Sequence, residues 1–495
     1  MASIRKTRTA SGATAVQVVR YVNRRVVVLK HMGSAHDQAG VDELIDRGLA
    51  WYEAQAQGPL FPASAGPPLV QPGTVLLGTW HTFAYQVLRR VAGHCGFHAL
   101  GDPLLLDLAI IRLVEPTSKL RSLRLLEEYF DIHHARRSFY RRLPLMAAQK
   151  ERAQEIAVHH AKDTLCDELS LVLYDVTTLY FETFTADELR IPGFSKDNMA
   201  QQPQVVVGLL VTRTGFPLGF EVFPGNTFEG KTMLPVLEAF TAKHGVRTPT
   251  VVADAAMLSQ ELLAEVTKRG MSYIVAARLA GASKALIEQV SSALGQQNGR
   301  TIRLPGPHGD MVCSFSLKRY KKDMHTLDKA IAKAELLVGK GEPGKRAKFV
   351  KTKAKEGYLL DKDRIERARL LLGVKGYCTN IPEAQLDNAS VIARYHDLWH
   401  VEKAFRMAKS DLATRPVFHF SAVAIRVHLL ICFIALAMAR SMEIKTGYPL
   451  RQIVDALWKV TDARLHNPIT GQHTILQSPL SAQANKIMDS LGMSY

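Results

Sequence analysis

Leu169–Asp175, LSLVLYD, decides how the chain is read. It is a short aliphatic run closed by an aspartate, and similar runs follow it: PQVVVGLLVT (203–212), GFPLGFEVFPG (215–225), PTVVAD (249–254) and SYIVAARL (272–279). Each is rich in residues that suit a pleated, buried surface and is separated from the next by turn residues, so all five predict strands of one central sheet. Thr232–His244 and Ser259–Arg269 read as helices that alternate with the later strands. The fold class expected is α/β, a mixed sheet flanked by helices.

On the C-terminal side of the strands, the stretch from Gly281 to Pro382 turns irregular and strongly basic, with LKRYKK from Leu317 and GKRAKFVKTKAK from Gly344. It reads as an insertion with some strand content (MVCSFSL, GYCTNI) and a lysine cluster that stays mobile until it meets an anion. Beyond Val391 the chain is helical. Its longest apolar run, Leu429–Ala439, is too short to span a bilayer and reads as a buried helix, with His428 as a core histidine.

On the N-terminal side, Thr74–Asp167 is mostly α. Within it SKLRSLRLLEEYF and ARRSFYRRL fit either the paired helices of a helix-turn-helix, the second bearing Arg136, Arg137, Arg141 and Arg142, or ordinary basic surface helices. A proline-rich segment, QGPLFPASAGPPLVQPG (57–73), marks a linker, and AVQVVRYVNRRVVVLKH (15–31) a small basic hairpin around Asn23 and Arg24.

The 495 residues exceed one compact core, and 47% hydrophobic residues exclude a disordered polymer. Lysine and arginine number 63 against 46 acidic residues, a net charge of +17 that favours a polyanionic partner. Five dispersed cysteines with no CxxC pair argue against a disulfide framework or zinc ribbon, and the basic start MASIRKTRTASG has no apolar core behind it and is no secretory signal.

Asp175 and Asp254 each close a strand, where active sites of α/β folds gather, and lie 79 residues apart (254 minus 175). A third carboxylate lies in RYHDLWHVEKAFRMAKSDL (394–412), in which Tyr395, Glu402 and Lys409 are spaced by seven, two helical turns, and share a face. Leu398 and Arg406 flank Glu402 by four on that face, while Trp399 reads as core packing.

These residues resemble the RNase-H-like DDE transposases of bacterial insertion sequences, in the group typified by insertion sequence four, whose signature is Y-x2-R-x3-E-x6-K. Tyr395, Glu402 and Lys409 match it at the right spacing, after LYDVTTLYFE and VVADAAMLS, with further likeness in FSKDN around Lys196, in PLGFEVFPGNTFEGKTM from Pro217 and in SGATAVQVVRYV. Leu398 stands where the signature has arginine, and Arg406 is the replacement charge expected on that face.

The resemblance implies a metal-dependent enzyme with Asp175, Asp254 and Glu402 as catalytic and metal-binding triad. Hard oxygen ligands suit Mg2+, with Mn2+ able to substitute, for two-metal phosphoryl transfer that cuts element ends and joins the 3′-hydroxyl to target DNA. DNA contacts are expected from Tyr395, Lys409 and Arg406, from Lys318, Arg319, Lys321, Lys322, Lys345, Arg346 and Lys348 of the basic stretch, and from Arg141 and Arg142. The partners implied are double-stranded DNA, as inverted repeats and target, and a second copy in the synaptic complex, in a bacterial cytoplasm at the nucleoid, with no membrane and no small-molecule substrate.

The domain organisation expected is an N-terminal hairpin and helix (1–57), the linker (58–73), a helical DNA-binding region (74–167), the catalytic core's first part (168–280), a basic insertion subdomain (281–382), the core's second part with the Glu helix (383–445) and a helical tail (446–495). Two other readings stand beside a transposase: a nuclease of the same fold, and an inactive or domesticated relative that only binds DNA.

Overall fold

The computed structural model describes residues 2–22, 25–56, 74–166, 169–182, 185–194, 201–246, 249–254, 259–306, 309–339, 348–353, 357–415, 417 and 419–493. They form two compact units, Met1–Val75 with His466–His473 and Leu76–Leu465 with Thr474–Tyr495. The linker expected at 58–73, the hairpin turn at Asn23 and Arg24, and Lys196, Lys345 and Arg346 lie outside the described residues.

In the first unit β1 (Ala2–Arg8), β2 (Thr14–Val22) and β3 (Arg25–Ala35) form an antiparallel sheet in the order β1-β2-β3, and α1 (Gln38–Ala56) packs on β2 and β3. The expected hairpin is therefore three-stranded. A register shift between Val18 and Val19 lets both valines be buried although they are neighbours in sequence.

The second unit opens, after β4 (Val75–Trp80), with α2 (Thr82–His94), α3 (Pro103–Val114), α4 (Lys119–Phe130), α5 (Arg136–Ala148) and α6 (Lys150–Asp163). Asp102 caps α3 by accepting from the Leu105 amide at 3.2 Å, and Pro103 starts the helix with its fixed φ. Arg142 is committed to the same cap, 2.9 Å from the Asp102 carboxylate.

The central sheet follows: β5 (Leu171–Tyr180), β6 (Ile191–Pro192), β7 (Pro203–Thr212) and β8 (Pro217–Pro224), then α7 (Met233–His244), β9 (Thr250–Ala253), α8 (Gln260–Lys268) and β10 (Ser272–Ala276). Strands β5, β7 and β8 form an antiparallel meander, and β9 and then β10 add in parallel on the other side of β5. All ten residues of β7 are buried, so both its faces are covered, as its unbroken apolar sequence requires.

The basic stretch departs from expectation. It holds α9 (Lys284–Leu294), β11 (Thr301–Gly306), β12 (Gly309–Phe315), α10 (Leu317–Gly339), β13 (Val350–Lys353), β14 (Gly357–Leu360), α11 (Lys362–Leu370) and β15 (Val374–Thr379). Strand β15 pairs antiparallel with β10 and β12 with β15, so the sheet has nine strands, ordered β11-β12-β15-β10-β9-β5-β7-β6 with β8 on β7. Boundaries at 281 and 382 thus cut through one sheet, and LKRYKK opens a 23-residue helix instead of an irregular loop. The buried run of Val312, Cys313 and Phe315 is too short, and too little alternating, to separate the strand from its basic surroundings.

The chain then forms α12 (Asn388–His396), α13 (Trp399–Ser410), α14 (Ala422–Thr446), α15 (Leu450–Trp458), β16 (Asp462–His466), β17 (His473–Gln477) and α16 (Ala482–Ser490), so the expected helical tail contains two strands. Helix α14, at 25 residues, is long and apolar enough to cross a membrane, but it is a core element: its residues from Val427 to Met442 are buried, packed on α3, α5 and β8. Arg440, 3% exposed, ties α14 to the β7–β8 turn by donating to the Thr214 carbonyl at 2.7 Å and the Gly215 carbonyl at 3.1 Å while pairing with Glu443.

Candidate active site

Asp175 is the fifth residue of β5, and Asp254 follows the four buried residues of β9. The two strands pair in parallel with Leu171 opposite Thr250 and Leu173 opposite Val252, an offset of 79 residues (250 minus 171) that also separates the two aspartates. The register therefore sets Asp175 beside Asp254 on neighbouring strands, backbones about 4.8 Å apart and side chains on one face. Tyr174, one residue earlier, points to the opposite face, where its hydroxyl donates to Thr232 Oγ1 at 3.0 Å. Gly208 on β7 makes room for it, since a Cβ there would fall 2.2 Å from the Tyr174 oxygen.

The third carboxylate comes from α13. Asp387 caps α12 by accepting from the Ser390 amide at 2.8 Å, and the helix ends at His396. Asp397 and Leu398 keep helical backbone angles, yet the Leu398 amide bonds the Tyr395 carbonyl and the Val401 amide the Leu398 carbonyl, tightening one turn before α13 begins. Tyr395 and Glu402 are thus not on one continuous helix, contrary to the sequence reading; Glu402 and Lys409 do share α13. That helix buries Val401, Ala404 and Phe405, packs on β5 and β7, and leaves Glu402 exposed.

Tyr395 lies within the field of all three acids. Its ring, 8% exposed, packs 4.9 Å from that of Tyr377, and its hydroxyl pKa is pushed up to about 12, first by burial and then by the charges of Asp254, Tyr377, Glu402 and Asp175. All three carboxylates are close enough to act on one phenol.

Lys375, on β15, is the residue that the sequence reading missed. Its ammonium lies 4.5 Å from the ring centroid of Tyr395 and 5.3 Å from that of Tyr377. Burial holds its pKa below the usual lysine range, Arg319 lowers it further, and Asp254 and Glu402 pull it back up. The one available signal was period two: Lys375 and Tyr377 share a face of their strand. Arg319, in the first turn of α10, brings exposed Lys318, Lys321 and Lys322 to the same neighbourhood, and it pairs with Asp323 at 3.3 Å.

The other expected contacts are scattered in character. Arg406 is exposed one turn beyond Glu402, whereas Lys409 is half-buried and lines the same cavity as Thr177, which is two residues along β5 from Asp175. Leu398, in the arginine position, is 7% exposed and faces the core. Trp399, read as core, is 51% exposed and lies against His400 with ring centroids 3.9 Å apart. Lys348 and Arg141 are exposed, and Lys348 lies over the ring of Phe349. His428 is buried, as a core histidine should be.

The donor set is three carboxylates, hard oxygen ligands suited to Mg2+ or Mn2+. Among the described residues no three His, Cys, Asp or Glu side chains close into a ready cage for an ion. A hard divalent cation fits this arrangement when it keeps several waters and takes substrate phosphate oxygens beside one or two carboxylates.

Residues 168–438, more than half of the chain, match the family model described as the transposase DDE domain. Among solved structures the chain is similar to one in a cryo-EM structure of the piggyBac transposase synaptic complex with hairpin DNA, at 9% identity and a TM-score of 0.36, covering 70% of this chain and 62% of that one. It therefore spans less than two thirds of that chain's length. No curated protein matches it.

Proposed function

The chain belongs to the transposase DDE domain family, and on that premise we propose that it is the transposase of an insertion sequence of the group with the Y-x2-R-x3-E-x6-K signature, binding terminal inverted repeats, cutting DNA at the element ends and joining the freed 3′-hydroxyl to target DNA. The observation that carries this reading is the register that sets Asp175 beside Asp254, with Glu402 acting on the same phenol. The order β8-β7-β5-β9-β10, three antiparallel strands then two parallel, supports an RNase-H-like core.

In this reading Asp175, Asp254 and Glu402 hold the divalent ions that, when bound, activate the attacking hydroxyl and stabilise the leaving oxygen. The protein's part is placement. The parallel pairing of β5 with β9 sets the two aspartates on neighbouring strands, and α13 brings Glu402 in from the helical layer. Lys375 offsets the gathered negative charge and lies where a strand's phosphate would approach, with the first turn of α10 and Arg406 extending the basic surface. Tyr395, mostly buried and with its pKa pushed up, stays a protonated phenol that donates, and does not take up a proton, at neutral pH. The domain roles outside the core, with base recognition in the N-terminal half and a homodimer at synapsis, belong to the same proposal.

The test is cleavage of an end-labelled element-end duplex with Mg2+, native chain against Glu402→Gln. The native protein cuts and the variant binds without cutting. Equal cutting by both removes Glu402 from the site, and cutting without strand transfer to target DNA reassigns the protein as a nuclease of the same fold.

A further inference from the structure

A second cationic site lies apart from the carboxylates, in a cavity of about 330 Å3 between α3, α4, α5 and the start of α14. Its lining carries Arg112, Lys119, Arg415, His419 and His428 and, among the described residues, no acidic one. Lys119 and Arg112 are 4% and 3% exposed, which is unusual for such cations without a carboxylate partner.

The hydrogen bonds make this charge specific. His428 Nε2 lies 2.9 Å from the Thr414 carbonyl, which can only accept, so Nε2 carries the ring proton and Nδ1 accepts from the Lys119 ammonium at 3.0 Å. Arg112 donates to the carbonyls of Thr117 (3.2 Å) and Ala413 (2.7 Å), while its buried Nε–H has no partner. Helices α4 and α14 both begin at this cavity, so their N-terminal dipole ends add to the positive field. Phe139, Tyr140 and Leu143 supply the apolar part of the lining, and Tyr140 is half-exposed.

We propose that this cavity binds a phosphate group, held by Lys119 and the N-terminus of α4 beneath the positive field of buried Arg112, with any organic substituent against Phe139 and Tyr140. The site goes beyond the cleavage chemistry and uses none of the three carboxylates. An oxyanion of this size offsets the buried positive charge of Lys119 and Arg112 in one step. Burial and mutual repulsion with Arg112 depress the pKa of both Lys119 and His428, and His419 is held down at about 4, so an entering anion raises all three and draws protons into the site. The shared chemistry has two sources, free phosphate or the phosphate of a DNA strand.

The experiment is calorimetric titration of the full chain with inorganic phosphate, metal-free, against chloride at matched ionic strength. Saturable binding with proton uptake is expected, together with at least tenfold weaker binding in Lys119→Met and in Tyr140→Asp, which sets a carboxylate at a half-exposed position of the lining and decides the matter if Lys119→Met does not fold. Displacement by a 5′-phosphorylated oligonucleotide but not its 5′-hydroxyl form assigns the site to strand ends; displacement by neither assigns it to free phosphate. No saturable binding, or binding unchanged in Tyr140→Asp and in any folded Lys119→Met, overturns the proposal. Glu402→Gln binds phosphate as the native chain does, so failure here and failure of the cleavage reading are separable.

Discussion

Magnesium should stabilise this protein through three particular side chains, and the size of the effect can be worked out. Asp175 and Asp254 sit side by side by register, and Glu402 shares their field at Tyr395, so the metal-free site gathers negative charge that a divalent ion offsets. At a free concentration 100 times the dissociation constant, binding to the folded state alone adds about 2.7 kcal/mol. For a cooperative unit of roughly 400 residues, with an unfolding entropy of about 2.1 cal/mol/K per residue, that raises Tm by about 3 °C. Glu402→Gln keeps the shape and removes one charge. If its loss weakens binding about 100-fold, the same magnesium concentration contributes only about 0.4 kcal/mol, or roughly 0.5 °C. The assay is a thermal melt in chelator and across a magnesium series, native against Glu402→Gln and Asp175→Asn. Equal upshifts in all three proteins would refute the reasoning, because the ion would then be bound elsewhere.

Lys375→Met removes an ammonium whose folded pKa lies below its unfolded one, so charging it costs stability at neutral pH; the variant melts higher than native yet cleaves element-end DNA roughly tenfold more slowly, the scale of one lost charge-assisted contact of about 1.5 kcal/mol. Gly208→Ala drives a methyl into the buried Tyr174 hydroxyl and costs about 1–3 kcal/mol, read as a lower denaturation midpoint, with slower cleavage because Asp175 is the next residue. Arg440→Met breaks a buried pair and two carbonyl bonds, a loss of about 3–5 kcal/mol that appears in urea unfolding; a change within error would show that the link between α14 and the β7–β8 turn bears no load. His160 is buried and His419 half-buried, and desolvation holds both pKa values at about 4, below the ordinary 6.5, so the unfolded chain binds more protons in that window and Tm falls as pH drops from about 6.5 toward 4. His419→Gln flattens that fall.

The aspartate pair was legible only in part: Asp254 does follow the end of its strand, whereas Asp175, read as closing LSLVLYD, sits mid-strand because β5 runs on to Tyr180, and the two become neighbours through the parallel register of β5 and β9. The face shared by Tyr395 and Glu402 was misread because the chain tightens for one turn at Asp397 and Leu398, and no proline or glycine marks the place. Lys375 escaped notice because its significance lies in pairings: β15 meets β10 across about a hundred residues, and only that contact brings the lysine to Tyr395. The same pairing joined the basic stretch to the main sheet. Trp399 failed as a core residue since its helix buries the Val401 and Phe405 side and turns the indole outward.

The late position of α14 bears on how the protein is made. Its apolar residues fill a core whose other walls, from α3 through β8, are complete some two hundred residues earlier in the chain. At about 5–20 residues per second, ribosomes need roughly 10–40 s to travel that distance, and throughout it the partner surfaces wait uncovered. A product truncated before Ala422 leaves those apolar surfaces without their cover, and the expected outcome is that it sediments as aggregate on centrifugation.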